Sequence, residues 1–320
     1  MKHYLTIPII FLLLATLSCK DDKNEQVKQD DKIKEMNNEQ FFKLSLAQWS
    51  LNENIRFQGM DPFDFARIAD SLEFEGLEYV SQLYKPFYEK NGIDALVKKL
   101  AEESKKYNQN NILIMVDNEG DLADPDEAKR DEAVELHKKW VDAAAALGCH
   151  SIRVNTFGTN DPDIWHNAVV DGLKKLSTYA ATKNVNVLCE NHGWLSSDPD
   201  KLMKALNEVN MENCGTLPDF GNWCIKRKDG ENWGECEEEY TDKYKGIELL
   251  MPKAKAVSAK SYAFDENGNE TTLDYVRILQ IVKDAGYRGY IGVEFEGGLP
   301  EEEGIVSTKN LLISANQKLK

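Results

Sequence analysis

Eight short apolar runs, each followed by a segment with helical spacing, divide residues 42–320, and this alternation restricts the fold more than any other feature of the chain. The runs are Leu44–Leu51, Leu77–Val80, Ile112–Asp117, Ile152–Phe157, Val185–Glu190, Gly215–Asp219, Ala256–Ser261 and Ile291–Phe295. Runs this short and continuous suit parallel strands buried on both faces, with helices as crossovers. Helices are expected from Pro62, over Ile93–Tyr107, Pro125–Leu147, Pro162–Lys183, Pro199–Val209, Glu237–Leu250, Leu273–Ala285 and Glu301–Gln317. Four of them open on Asp-Pro (Asp61-Pro62, Asp124-Pro125, Asp161-Pro162, Asp198-Pro199), an N-cap with proline at the first helical position. Gly76, Gly148 and Gly286 sit where helices give way to the next strand. Eight units without a large insertion predict an α/β fold, a single (β/α)8 TIM barrel. A doubly wound open sheet would have fewer strands and a Gly-rich first turn. Here the first run ends in Gln48-Trp49-Ser50-Leu51.

The first 41 residues read differently. Met1-Lys2-His3 is a short basic start, Ile7–Leu14 is apolar apart from Pro8, and Thr16-Leu17-Ser18 leads into Cys19. That core is too short for a permanent membrane span, so residues 1–18 are expected to be an export signal. Leu17-Ser18-Cys19 resembles a bacterial lipobox, which implies lipidation of Cys19. The expected localisation is that of an exported lipoprotein at the outer membrane, facing the periplasm or the cell surface. Residues 19–41 are dominated by Lys, Asp, Glu, Asn and Gln and read as a flexible polar tether. Such a coil reaches roughly 25 Å, taking about 5–6 Å times the square root of its length.

In a barrel, the strand C-terminal ends and their loops build the active site. The polar residues at those ends are Gln48, Tyr79, Asp117, Arg153, Asn155, Glu190, His192, Asp219, Asn222, Lys260 and Glu294. Three of them, Glu190, Asp219 and Glu294, are carboxylates that a closed barrel would bring to one mouth. Like charges so close call for a cation or for shifted pKa values. Alternation places Glu190 with His192, Arg153 with Asn155, Ser258 with Lys260, and Glu294 with Glu296 on shared faces. Arg153, flanked by buried aliphatics, needs a charged partner. Removing residues 1–18 takes away Lys2 and no acid, moving the formal net charge from -16 to -17. A surface of that charge, without a basic stripe, argues against nucleic acid as a partner. Besides Cys19 there are five cysteines. Cys189 and Cys214 fall in strands, while Cys224 and Cys236 share an irregular segment where they could pair or stay as thiols.

Six segments in barrel order resemble the xylose isomerase-like barrel superfamily, the sugar phosphate isomerase/epimerase group. They are Ser45-Leu46-Ala47-Gln48-Trp49-Ser50, Gly76-Leu77-Glu78-Tyr79-Val80, Glu190-Asn191-His192-Gly193, Pro218-Asp219-Phe220-Gly221-Asn222, Ala259-Lys260-Ser261-Tyr262, and Gly289 to Gly297. The resemblance implies a divalent cation held by Glu on strand five, Asp on strand six, His on strand seven and Glu on strand eight. Glu190, Asp219 and Glu294 match three of these. Ser258 stands where the histidine aligns, and none of the five histidines lies beyond residue 192. Two repairs are open: His192 supplies a nitrogen, or the Lys260 ammonium offsets carboxylate charge. An all-oxygen set favours Mg2+, Mn2+ or Ca2+ over Zn2+, with Mn2+ or Mg2+ the expected cofactor. In this family the strand-five and strand-eight glutamates also move protons, which makes Glu190 and Glu294 the catalytic candidates. Gln48, Arg153, Asn155, His192, Asn222 and Lys260 are the substrate-binding candidates.

The acidic chain and its expected export favour a non-phosphorylated sugar or keto-sugar over a sugar phosphate. The expectation is a metal-assisted sugar isomerase or epimerase whose partner is a small carbohydrate, with membrane contact only through the lipid. A DNA-repair endonuclease would need a histidine-rich zinc cluster and a basic groove, and the chain has neither. The rivals are a carbohydrate-binding lipoprotein without catalysis and a metal-independent keto-sugar lyase or epimerase relying on Lys260.

Overall fold

The structure, a computed structural model, describes residues 40–320. Cys19 and the expected signal and tether lie outside the described residues, apart from the last two positions of the tether. Phe41–Lys320 pack as one compact unit. Its strands are β1 (Lys43–Ala47), β2 (Gly76–Val80), β3 (Asn110–Val116), β4 (Ser151–Val154), β5 (Asn186–Glu190), β6 (Cys214–Leu217), β7 (Cys224–Arg227), β8 (Cys236–Glu239), β9 (Val257–Ser261) and β10 (Tyr290–Phe295).

Eight of these strands form one parallel sheet in the order β6-β5-β4-β3-β2-β1-β10-β9. The edges meet through parallel bridges Thr216–Ala254 and Asp219–Ser258, with Ser258 N donating to Pro218 O at 2.9 Å and Phe220 N to Ser258 O at 3.1 Å. The fold is a single (β/α)8 barrel. The bridge that closes it joins two positions singled out in the sequence, Asp219 and Ser258.

The large apolar cluster lies between strands and helices. A smaller one, including Leu113, Met115, Leu188 and Leu217, shares the parity of the polar interior. That interior also holds Glu78, to which Ser45 Oγ donates at 2.6 Å. Gly292 on β10 lies beside it, and a Cβ there would fall 2.5–2.7 Å from the Glu78 carboxylate. Glycine is required here by close approach.

Helix starts follow the Asp-Pro expectation in three cases: Asp61, Asp161 and Asp198 accept from Phe63 N, Asp163 N and Lys201 N. The fourth differs. Helix Glu127–Leu147 begins two residues later than expected, capped by Asp126, whose carboxylate accepts from Ala128 N and Lys129 N. The helix expected from residue 237 starts at Lys243. The preceding residues form an antiparallel hairpin, β7 and β8, stapled by a Cys224–Cys236 disulfide. Cys149, Cys189 and Cys214 are buried free thiols. Among the described residues no helix is long and apolar enough to cross a membrane.

Candidate active site

The three carboxylates meet. Glu190 ends β5, Asp219 follows β6 and Glu294 lies on β10, and one oxygen from each falls within 4.8 Å of the others. All three are at most 4% exposed. The loop carrying Asp219 is clamped by Asn191: its Oδ1 accepts from Asp219 N at 2.7 Å, and its Nδ2 donates to the carbonyls of Asp219 and Asn222. Asp219 Oδ1 in turn accepts from the backbone of Gly221 and Asn222, both at 2.8 Å.

Ser258, on the seventh barrel strand, sits between two of the acids. Its Oγ is 2.6 Å from Asp219 Oδ2 and 2.9 Å from Glu294 Oε2. A hydroxyl has a single proton to donate. With both carboxylates ionised one contact would be oxygen against oxygen, so the trio needs a shared proton or a cation. An all-oxygen donor set of three buried acids fits a hard divalent ion. The residues therefore fit a metal, with Glu190, Asp219 and Glu294 as the holders. His192 is not in the group of converging ligand atoms. Its Nδ1 lies 2.7 Å from Asn155 Oδ1, while the Asn155 amide donates to Asp117 Oδ1 at 2.8 Å. That chain fixes the proton on Nδ1. Burial, then Arg153 and Lys260, push the His192 pKa down to about 3, so the ring is neutral at physiological pH.

Two buried cations answer the acids. Lys260 Nζ, 1% exposed, is 3.1 Å from Glu294 Oε1 and 3.2 Å from Glu296 Oε2. Burial alone would lower its pKa, but Glu294 and Glu296 outweigh that and hold it charged. Of the two repairs for the missing histidine, the ammonium is the one that touches the carboxylates. Arg153 Nη1 donates to Asp117 Oδ1 at 2.9 Å, supplying the partner its aliphatic surroundings demanded. Its Nε lies 2.9 Å from Glu190 Oε2 but is misaligned for a hydrogen bond, so that contact is an ion pair only. Asn222 Nδ2 donates to Glu190 Oε1 at 2.9 Å.

Burial is the main reason why the carboxyl pKa values of Glu190, Asp219 and Glu294 all rise; Arg153 and Lys260 oppose it only in part. For Glu296, burial also raises the pKa, but Lys260 outweighs it and the net shift is down. Asp117 shifts down likewise, with Arg153 overcoming burial. The result is a cluster of acids of differing proton affinity at one end of the barrel, the condition for acid/base work.

The cavity at the barrel mouth has a volume of about 660 Å³. Arg153, Asn155, His192, Asn222, Lys260 and Glu294 line it, whereas Glu190 and Asp219 do not. Gln48 is placed elsewhere. It is fully buried, donates to Pro62 O and Tyr84 Oη, and accepts from Val80 N, which occupies its amide in the wall. Tyr79 also misses the cavity: it packs on Phe65 and donates to Asn111 Oδ1 at 2.6 Å. Glu296, Tyr262, Trp49, Arg227 and Trp233 line the cavity as well. Glu296 has a sequence signal in its shared face with Glu294, and Trp49 and Tyr262 lie in segments that carry the family resemblance; Arg227 and Trp233 have none.

The family model described as xylose isomerase-like TIM barrel matches residues 66–314. The chain belongs to that family. It is similar to a 3-keto-D-glucoside 4-epimerase from E. coli (TM-score 0.61, 15% identity, 84% of this chain and 98% of the other). It is also similar to the IolI protein solved with a zinc atom (TM-score 0.64, 15% identity, 87% and 99%). At that identity these structures speak for the fold. The alpha subunit of a C-glycoside deglycosidase from Arthrobacter globiformis is 48% identical over 48 residues, 15% of this chain. The match spans 14% of that subunit's length.

Proposed function

We propose that this chain is a sugar isomerase or epimerase that acts on a non-phosphorylated sugar or keto-sugar by proton transfer between carboxylates. The observation that carries the proposal is the trio Glu190, Asp219 and Glu294, buried within 4.8 Å of one another at the ends of three separate strands. Glu190 and Glu294 approach from β5 and β10 and are the two proton carriers; burial raises both pKa values, which strengthens each carboxylate as a base. One removes a proton beside a carbonyl and the other returns it. Asp219, held by two backbone amides and Ser258, is a ligand rather than a carrier. A divalent cation, Mn2+ or Mg2+, held by the trio would polarise the carbonyl and stabilise the enediolate. Lys260, Arg153 and Asn222 hold the carboxylates in place and offer donors to substrate oxygens.

The cavity wall is close to balanced in charge, with Asp117, Glu119, Asp121, Glu294 and Glu296 set against Arg56, Arg153, Arg227 and Lys260, which suits a neutral substrate. The name of the E. coli epimerase, a keto-glucoside enzyme, supports the same class. A metal-independent lyase or epimerase is the second reading, favoured by Lys260 lying 3.1 Å from Glu294. We place the protein as a lipoprotein anchored through Cys19, with the barrel as its folded domain.

Calorimetric titration of Mn2+ into chelator-treated protein and into Asp219→Asn tests the metal. Saturable binding lost in the variant is expected; equal binding by both removes Asp219 as a ligand. No binding to wild type, together with deuterium exchange into a keto-sugar, selects the second reading.

A further inference from the structure

The hairpin of β7 and β8 takes no part in the carboxylate site, yet its residues Arg227, Asn232 and Trp233 line the same cavity. Its position is held in several ways. The Cys224–Cys236 disulfide joins its two strands, Lys228 N donates to Glu235 O at 3.0 Å across its end, and Trp194 Nε1 donates to Glu231 O at 3.0 Å.

Trp233 is 53% exposed, although it is the largest side-chain type. Its ring meets Phe157 edge-on at 5.4 Å and His192 at 4.9 Å, so it is fixed in orientation while a large part of its surface stays open. Arg227 lies 5.9 Å from the Trp233 ring and donates through Nη1 to Gly234 O at 2.7 Å. Its Nε is buried without any hydrogen-bond partner. The side chain lines the cavity beside Gly193, where a Cβ would come within 3.6–3.7 Å of the guanidinium. A rigid aromatic platform with an unused donor next to it is the chemistry that recognises a pyranose ring, whose C–H face stacks and whose hydroxyls accept. The reacting ring belongs at Glu294 and Lys260. A cavity of about 660 Å³ leaves room for more than that ring.

We infer that the stapled hairpin builds a second sugar subsite: the substrate is a glycoside whose non-reacting pyranose ring stacks on Trp233 and accepts from the Arg227 guanidinium. This rests on the proposed sugar chemistry for the class of ligand, but it is read by binding rather than turnover. Purified full-length protein is titrated with glucose and with cellobiose, maltose and trehalose, following heat and tryptophan fluorescence. At least one disaccharide is expected to bind about tenfold or more tighter than glucose, as stacking plus one hydrogen bond would give. In Trp233→Ala that ratio falls toward one, and Trp233→Phe, which keeps a smaller platform, retains part of it. The Cys224→Ser/Cys236→Ser double variant lowers the ratio as well. A ratio near one in wild type, or a ratio unchanged in Trp233→Ala, overturns the subsite. Disaccharide preference without any solvent-proton exchange would leave the subsite standing and sink the proposed chemistry; exchange without preference does the reverse.

Discussion

Glu78 provides a quantitative test of how the barrel interior treats charge. The side chain is 1% exposed, faces the interior above Gly292, and takes one hydrogen bond, from Ser45 Oγ; Oε2 has no partner. Burial, only partly offset by Ser45, pushes its pKa up from 4.5 to about 8, with Glu294 and Glu190 adding repulsion. The folded protein therefore holds a proton that the unfolded chain releases, and stability contributed below pH 4.5 is lost as pH rises through about 8. One pH unit within that window changes stability by roughly 1.4 kcal/mol, so the whole window amounts to on the order of 5 kcal/mol. Glu78→Gln keeps the shape and cannot ionise. The neutral acid and the amide each leave one polar group unsatisfied at the Oε2 position, so the two proteins should be nearly equal in stability at pH 5. At pH 9 the variant should be the more stable by several kcal/mol. Urea unfolding at pH 5, 7 and 9 in the presence of chelator reads the difference. If the two stability curves run parallel across that range, Glu78 ionises freely in the folded state and the account of the interior is wrong.

Other outcomes follow from single contacts. Lys260→Met leaves Glu294 and Glu296 without their ammonium and should destabilise metal-free protein at pH 7 by about 3–5 kcal/mol; a thermal midpoint like that of wild type would contradict this. Gly292→Ala puts a methyl group within 2.5–2.7 Å of the Glu78 carboxylate, and pairing it with Glu78→Ala should recover most of the lost stability in a double-mutant cycle. Additive losses would show that the contact is not the cause. Cys19→Ala should abolish lipid labelling and membrane fractionation of the full chain; unchanged fractionation would remove the anchor.

The alternation of buried runs and helices was enough to count eight units, because parallel strands buried on both faces leave an unambiguous signature. Glu190, Asp219 and Glu294 were legible because a barrel brings the ends of distant runs together. Facing was harder to see. A continuously apolar run does not reveal which side is interior, so the sequence does not distinguish Tyr79, which faces the helices, from its neighbour Glu78, which faces the barrel interior. Gln48 misled for a related reason: β1 stops at Ala47 and Gln48 opens a turn of 3-10 helix, where strand alternation no longer applies. The hairpin carrying Arg227 and Trp233 was hidden by its own charge. Residues 224–239 have no apolar alternation, and their acids resembled the first turn of a helix that begins only at Lys243.

The central claim is that Glu190 and Glu294 move a proton on and off carbon in one site. It is tested most directly by deuterium incorporation, followed by proton NMR, when wild type, Glu190→Gln and Glu294→Gln are incubated with non-phosphorylated keto-sugars in D2O with Mn2+. Wild type should exchange the proton beside the carbonyl, and each variant should lose that exchange by about 10²-fold or more while keeping its fold by circular dichroism. Exchange that survives in both variants would contradict the claim.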